Sequence, residues 1–189
     1  MKTIFLISVL ISSSILSCTQ KPELKTKTTV EVSLTDQIAK GEQLVNTLGC
    51  NDCHTPKVMT AMGPAPDQER LLSGHPANEE LPAYDKEILK SYVLMNLNGT
   101  AAVGPWGTSF AGNLTPDQTG IGSWTEKQFL IAMKKGKWKG LENSRELLPP
   151  MPWQSYSQLP DEDLKSIFAY LKSLKPVNNP VPMAIPPQQ

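Results

Sequence analysis

Apolar residues return at helical spacing in four stretches of the chain. Over residues 36–48, Ile38, Gly41, Leu44, Val45 and Leu48 fall on one side. Asp36 stands where a helix wants a cap, and Gly49 stands where one stops. Over 85–97, Ile88, Leu89, Tyr92, Val93 and Leu97 repeat in the same way before Asn98-Gly99. Over 125–135 the apolar side is Phe129, Ala132 and Met133, and Thr125 with Gln128 has the form of a capping box. The clearest stripe is Leu164, Ile167, Phe168, Leu171 and Leu174. Asp161 is placed as its cap, with Glu162 and Asp163 in the first turn. Lys172 and Lys175 lie at the C-terminal end, where a helix dipole favours cations, and Pro176 stops the helix. These stretches predict an all-α domain over residues 34–175. The segments between them, 55–83 and 101–122, are rich in Pro and Gly and read as loop. So does the Pro-stiffened run Leu147-Leu148-Pro149-Pro150-Met151-Pro152-Trp153. Residues 176–189 form a Pro-rich tail expected to run extended over the surface.

The N-terminus follows a different pattern. Lys2 precedes an apolar run from Ile4 to Leu10 and then small residues, the form of an export signal over residues 1–17. The apolar run is short for a spanning helix. Ile15-Leu16-Ser17-Cys18 resembles a bacterial lipobox, a resemblance that implies cleavage before Cys18 and a lipid on that residue. The other reading is an ordinary signal peptide with a chance cysteine. Residues 18–33 are polar and read as a tether without a core. Together these features place the protein in a bacterial cell envelope, facing the periplasm and attached to a membrane through lipid. The formal charge of the whole chain is zero, and removal of residues 1–17 takes away Lys2 alone. Such a balance argues for no nucleic-acid partner. The lysines around Trp138 (Lys134, Lys135, Lys137, Lys139) read as a solvated face, the alternative being a dock for an acidic partner. Asn113-Leu114-Thr115 fits a glycosylation sequon that is expected to mean nothing in a bacterial exported protein.

Chemistry concentrates in Cys50-Asn51-Asp52-Cys53-His54. Two cysteines three apart, followed at once by histidine, is the spacing for covalent c-type haem: each thiol adds to one vinyl group, and the histidine supplies an iron ligand. One such motif predicts one haem c. A structural zinc site would need four ligands, and His75 alone remains to complete one. A redox disulfide of the thioredoxin kind would need a βαβ setting that the pattern lacks. Of seven methionines, Met151 stands out as the second axial ligand, because flanking prolines leave its loop little entropy to lose. Met133 lies on an expected helix face, and Met59 and Met62 follow His54 closely. His75 is the competing ligand.

These residues resemble a class I cytochrome c: a helix running into CxxCH, a late methionine and a C-terminal helix. The resemblance implies a cytochrome c fold in which Gly41 meets an aromatic of the last helix, Phe168 or Tyr170. It also implies a proline carbonyl, Pro64, accepting a hydrogen bond from the His54 ring. The gap between His54 and Met151 is longer than in small members of the family. Residues 71–122 are therefore a loop-rich insertion. The function implied is one-electron transfer with His54 and Met151 on the iron, without catalysis of its own. The partners would be a dehydrogenase, a quinol-oxidising complex or a terminal oxidase. The other class is a haem enzyme or sensor with an open iron site, peroxidase-like, in which Met151 does not ligate.

Overall fold

The computed structural model describes residues 33–187. The export signal, Cys18 and the tether up to residue 32 lie outside the described residues. Helix α1 (Leu34–Thr47) begins two residues before the expected start. Ser33 is its cap, with Ser33 Oγ accepting the Asp36 N–H at 3.1 Å; Asp36 is the third residue of the turn it was expected to cap. Gly49 then turns the chain through the left-handed region, at φ 71°, into the short helix α2 (Cys50–His54).

The expectation of an all-α domain is overturned. Beyond α2 the chain forms a two-stranded hairpin, β1 (Lys57–Thr60) with β2 (Gly63–Pro66). A three-stranded antiparallel sheet follows: β3 (Leu94–Met95), β4 (Ala101–Gly104) and β5 (Gly107–Phe110), in that order. The stretch 85–97, read as a helix, holds only a 3-10 turn at Lys86–Lys90 and then β3. Its apolar stripe has nothing to pack on: Ile88, Tyr92, Val93 and Leu97 are exposed. An isolated helix of that length is marginal without a buried face. The backbone instead pairs Leu94 with Val103 and Met95 with Ala102. The Asn96 side-chain oxygen accepts the Thr100 and Ala101 N–H groups and closes the turn. The Pro-rich tail pairs with the sheet: Ile185 exchanges two backbone hydrogen bonds with Thr108 of β5.

Helix α3 (Glu126–Lys135) carries the expected capping box, Thr125 with Gln128. A short helix, α4 (Trp153–Tyr156), follows Met151, and α5 (Asp161–Ser173) ends the helical core. The cap of α5 is Pro160, which has no side-chain donor or acceptor; Asp161 is its first helical residue. Helix α1 packs mainly on α5. At the crossing, a Cβ on Gly41 would stand 1.9 Å from the Ser166 carbonyl oxygen and 2.8 Å from Tyr170 Cβ. The implied glycine–aromatic meeting therefore involves Tyr170, whereas Phe168 turns to Phe129 with ring centroids 5.2 Å apart. Lys40 pairs with Asp163 across the same crossing. The core is one cluster: Val45, Leu72, Ile121, Phe129, Met133, Leu164, Ile167 and Leu171. Leu72 and Ile121 come from the two ends of the insertion, so the insertion is built into the core. No helix among the described residues is long and apolar enough to cross a membrane.

Candidate functional site

Cys50 and Cys53 are both free and half-buried on α2. Burial pushes the Cys50 thiol up to about 11, helped by the charge of Asp52, and raises Cys53 as well. The turn that carries them is closed on itself. Lys57 Nζ donates to the carbonyls of Asn51, Asp52 and Thr55, at 3.2, 3.1 and 2.6 Å, where α2 ends and its dipole is negative. The buried Thr55 hydroxyl donates to Asn51 Oδ1 at 2.7 Å and accepts the Leu72 N–H at 2.9 Å.

His54 is held on two sides. Its carbonyl accepts the Gly74 N–H at 2.7 Å. Its ring nitrogen Nδ1 lies 2.7 Å from the Gly112 carbonyl. A carbonyl only accepts, so Nδ1 carries the proton and Nε2 keeps its lone pair for a metal. The expected acceptor, Pro64, is not the partner. Pro64 lies exposed on β2, paired with Met59 of the hairpin, while the insertion loop brings Gly112 to the ring. Burial holds His54 below the ordinary histidine pKa.

The structure separates the methionines. Met59, Met62, Met95 and Met183 are exposed, and Met133 is buried in α3. Met151 is half-buried and packs on the core cluster, and Cys50 packs on the same cluster. Its loop is fastened on both sides: Ser109 Oγ of β5 donates to the Pro149 carbonyl, and the Tyr156 hydroxyl of α4 donates to the Leu48 carbonyl at 3.0 Å. That second bond joins the loop to the chain just before Cys50. His75, the competing ligand, is fully buried with both ring nitrogens engaged. Nδ1 is 2.9 Å from Thr100 Oγ1 and Nε2 is 3.3 Å from the Glu79 carbonyl.

This donor set fits a covalently bound haem c. Two thiols lie one helical turn apart, an imidazole has its outer nitrogen already committed, and a thioether sits beside the apolar core. It suits a bare ion poorly: among the described residues no three His, Cys, Asp or Glu side chains are gathered to hold one.

The comparison with known proteins agrees. Residues 38–175 match the family model described as Cytochrome c. The chain belongs to the cytochrome c family. Its cofactor is therefore covalently bound haem c. A fructose dehydrogenase cytochrome subunit of Gluconobacter japonicus is 40% identical over 86 residues, 44% of this chain and 17% of that relative. The gluconate 2-dehydrogenase cytochrome c subunit of Pantoea cypripedii is 42% identical over 67 residues, 35% of this chain and 14% of that relative. The cytochrome c subunit of a quinone-dependent alcohol dehydrogenase from Gluconacetobacter polyoxogenes is 38% identical over 78 residues, 40% of this chain and 16% of that relative. This cytochrome thus spans less than a fifth of the length of each of these.

Sequence reasoning missed Gly112, Gly74, Tyr156, Asn113 and Asn179. One signal was present but pointed elsewhere. Asn113 of the apparent sequon is 5% exposed and its amide is fully used. Oδ1 accepts from the Thr115 N–H and hydroxyl, and Nδ2 donates to Thr119 Oγ1 and the Val177 carbonyl. It joins the insertion to the tail and offers nothing for a glycan. Around Trp138, Lys134 pairs with Asp161 and Lys135 with Glu142, while Lys139 and Arg145 lie 4.8 and 5.0 Å from the ring centroid.

Proposed function

We propose that this cytochrome c is a one-electron carrier that accepts electrons from a dehydrogenase and is not itself a catalyst. The observation that carries the reading is the pairing of His54 with Gly112 beside two free thiols. Cys50 and Cys53 would hold the haem covalently, and His54 Nε2 and the Met151 thioether would ligate its iron. The bound haem supplies reversible one-electron chemistry at iron. The chain's own residues do the rest. The Gly112 carbonyl fixes the His54 tautomer and its ring plane. The Pro-flanked Met151 loop, tied through Tyr156 and Ser109, presents a thioether with little freedom to lose. Thioether ligation favours the reduced state relative to a second histidine. The core cluster keeps water from this side of the site.

The dehydrogenase partner is supported by the relatives, which are cytochrome subunits of dehydrogenases. A quinol-oxidising complex or a terminal oxidase fits the remaining partners. Export, with lipid on Cys18 and a polar tether to a domain over 34–175, would place the haem on the periplasmic side of the envelope. Metabolic labelling with a radioactive fatty acid should mark the wild type and leave Cys18→Ser unmarked; label on both, or on neither, overturns the anchor.

The test of ligation is the optical and magnetic spectrum of the purified protein beside Met151→Ala. The wild type should be low-spin in both oxidation states, and the variant should become high-spin. A low-spin spectrum in both proteins would give the iron a sixth ligand other than Met151, and a high-spin spectrum in both would favour the open-site reading; either removes Met151 from the iron.

A further inference from the structure

The tie between His54 and Gly112 is one bond of a closed ring. The Gly74 N–H donates to the His54 carbonyl at 2.7 Å. The next residue, His75, donates its N–H to the Ala111 carbonyl at 2.9 Å. Adjacent to Ala111, the Gly112 carbonyl receives the His54 ring proton at 2.7 Å. Three short contacts therefore link segments 54, 74–75 and 111–112 into a loop that begins and ends on one residue. The fit is tight. Gly74 has φ 81°, and a Cβ there would meet the Ala111 carbonyl oxygen at 2.5 Å and the Gly112 carbonyl carbon and oxygen at 2.6 and 2.7 Å. Only glycine admits this approach.

Two side chains outside the ring hold it in place. The buried His75 imidazole binds Thr100 Oγ1 at 2.9 Å. Because its Nε2 faces a carbonyl, Nδ1 accepts and the Thr100 hydroxyl donates. Thr100 is itself tied to the ring, its carbonyl accepting the Ala111 N–H at 2.8 Å. The Phe110 ring lies 4.8 Å from the His75 ring. From the tail, Asn179 Nδ2 donates to the carbonyls on either side of Gly74, Ser73 at 2.7 Å and His75 at 2.8 Å. Its Oδ1 accepts the Ala77 N–H at 2.9 Å. Every amide atom of Asn179 is used on this one segment.

We infer that His75 and Asn179 are positioning residues for the haem ligand: they hold the 74–75 and 111–112 segments so that the Gly112 carbonyl stays on the His54 ring. The insertion and the Pro-rich tail then have a specific task, tuning the iron through its imidazole. A strong hydrogen bond from Nδ1 makes the ring a better donor and favours ferric iron; a loosened one raises the reduction potential. The inference rests on His54 being an axial ligand, as proposed above.

The chain has two histidines, so selective 15N-histidine labelling reports each ring separately, and His75→Gln leaves His54 alone. The holoprotein and three variants, His75→Gln, Thr100→Val and Asn179→Ala, are compared for exchange of the His54 Nδ1 proton and for midpoint potential. Each variant should speed that exchange at least tenfold and raise the potential, a tenfold change in the ferric–ferrous equilibrium being 59 mV for one electron. Thr100→Ser, which keeps the hydroxyl, should return both readouts to wild type. Variants that lose stability while both readouts stay at wild-type values would overturn the inference and leave His75 and Asn179 as structural residues only. Should His75→Gln fail to fold, Asn179→Ala, at a half-exposed position, decides alone. If wild-type His54 shows no iron-bound imidazole signal, the ligand assignment fails and this inference with it.

Discussion

Replacing Gly41 with Ala tests how closely the two terminal helices meet. Two effects oppose each other. In a helix interior alanine is favoured over glycine by about 1 kcal/mol, so at an open surface the change would stabilise. At Gly41 the new Cβ would stand 1.9 Å from the Ser166 carbonyl oxygen, where real Cβ contacts essentially never fall below 3.0 Å. Ser166 belongs to the backbone of α5, so no side chain can swing aside. The helix must withdraw by roughly 1 Å, and with it Leu164, Ile167 and Leu171, which are at most 2% exposed. Overpacking of this kind costs about 3 kcal/mol. The net loss is then about 2 kcal/mol. For a domain of this size that lowers the thermal midpoint by about 4–8 °C. Thermal unfolding of the ferric holoprotein, followed by far-ultraviolet circular dichroism, measures it. Ala39→Gly, at an exposed position of the same helix, calibrates the propensity term and should cost about 1 kcal/mol. A Gly41→Ala protein as stable as wild type, or more stable, would refute the close crossing.

Other substitutions probe the ties around the site. Tyr156→Phe removes the 3.0 Å bond to the Leu48 carbonyl and should cost about 1 kcal/mol in denaturant unfolding. Its visible spectrum should stay unchanged; loss of the low-spin spectrum would show that the tie controls ligation. Asn113→Ala leaves four partners without the amide, and the unfolding free energy should fall by about 2–4 kcal/mol with an unaltered denaturant slope. A change below about 0.5 kcal/mol would contradict the packing described. Burial holds His75 below the ordinary histidine pKa of 6.5, with Glu79 opposing. The unfolded chain therefore takes up a proton that the folded chain refuses. Stability from this residue is complete above about pH 6.5 and falls as pH drops below it. His75→Gln should flatten that acid-side decline in a pH series of unfolding midpoints, and equal slopes in both proteins would refute it.

The helical frame and the cofactor were legible in the chain because their determinants are local. Helix α3 was written in Thr125, Gln128 and the Phe129–Ala132–Met133 face, and α5 in an uninterrupted stripe between Pro160 and Pro176. The motif Cys50-Asn51-Asp52-Cys53-His54 is five consecutive residues, so its spacing can be read without any knowledge of the fold. The sheet was not legible. Strand β4 reads Ala101-Ala102-Val103-Gly104, buried throughout and lacking the alternation that marks a half-exposed strand. Residues 85–97 carried a helical period with no surface to meet, and periodicity in a sequence cannot report whether a partner exists. Asp36 and Asp161 misled in the same way: each has the chemistry of a cap, but where a helix starts depends on backbone one or two residues away.

The partners of His54 show where sequence reasoning stops. A ring hydrogen bond to a carbonyl can come from any residue, because every residue has a carbonyl. Gly112 has no side chain to announce itself, and it lies 58 positions from the ring it serves. Asn179 sits in a Pro-rich tail that composition marks only as extended. The short-range chemistry of the chain specified the cofactor class and the helices α1, α3 and α5. The choice of carbonyl that meets the imidazole, the loop after β5 that carries it and the tail bonded to residues 73–77 depended on chain segments meeting across long separations, and such meetings are set by the packing of the whole core.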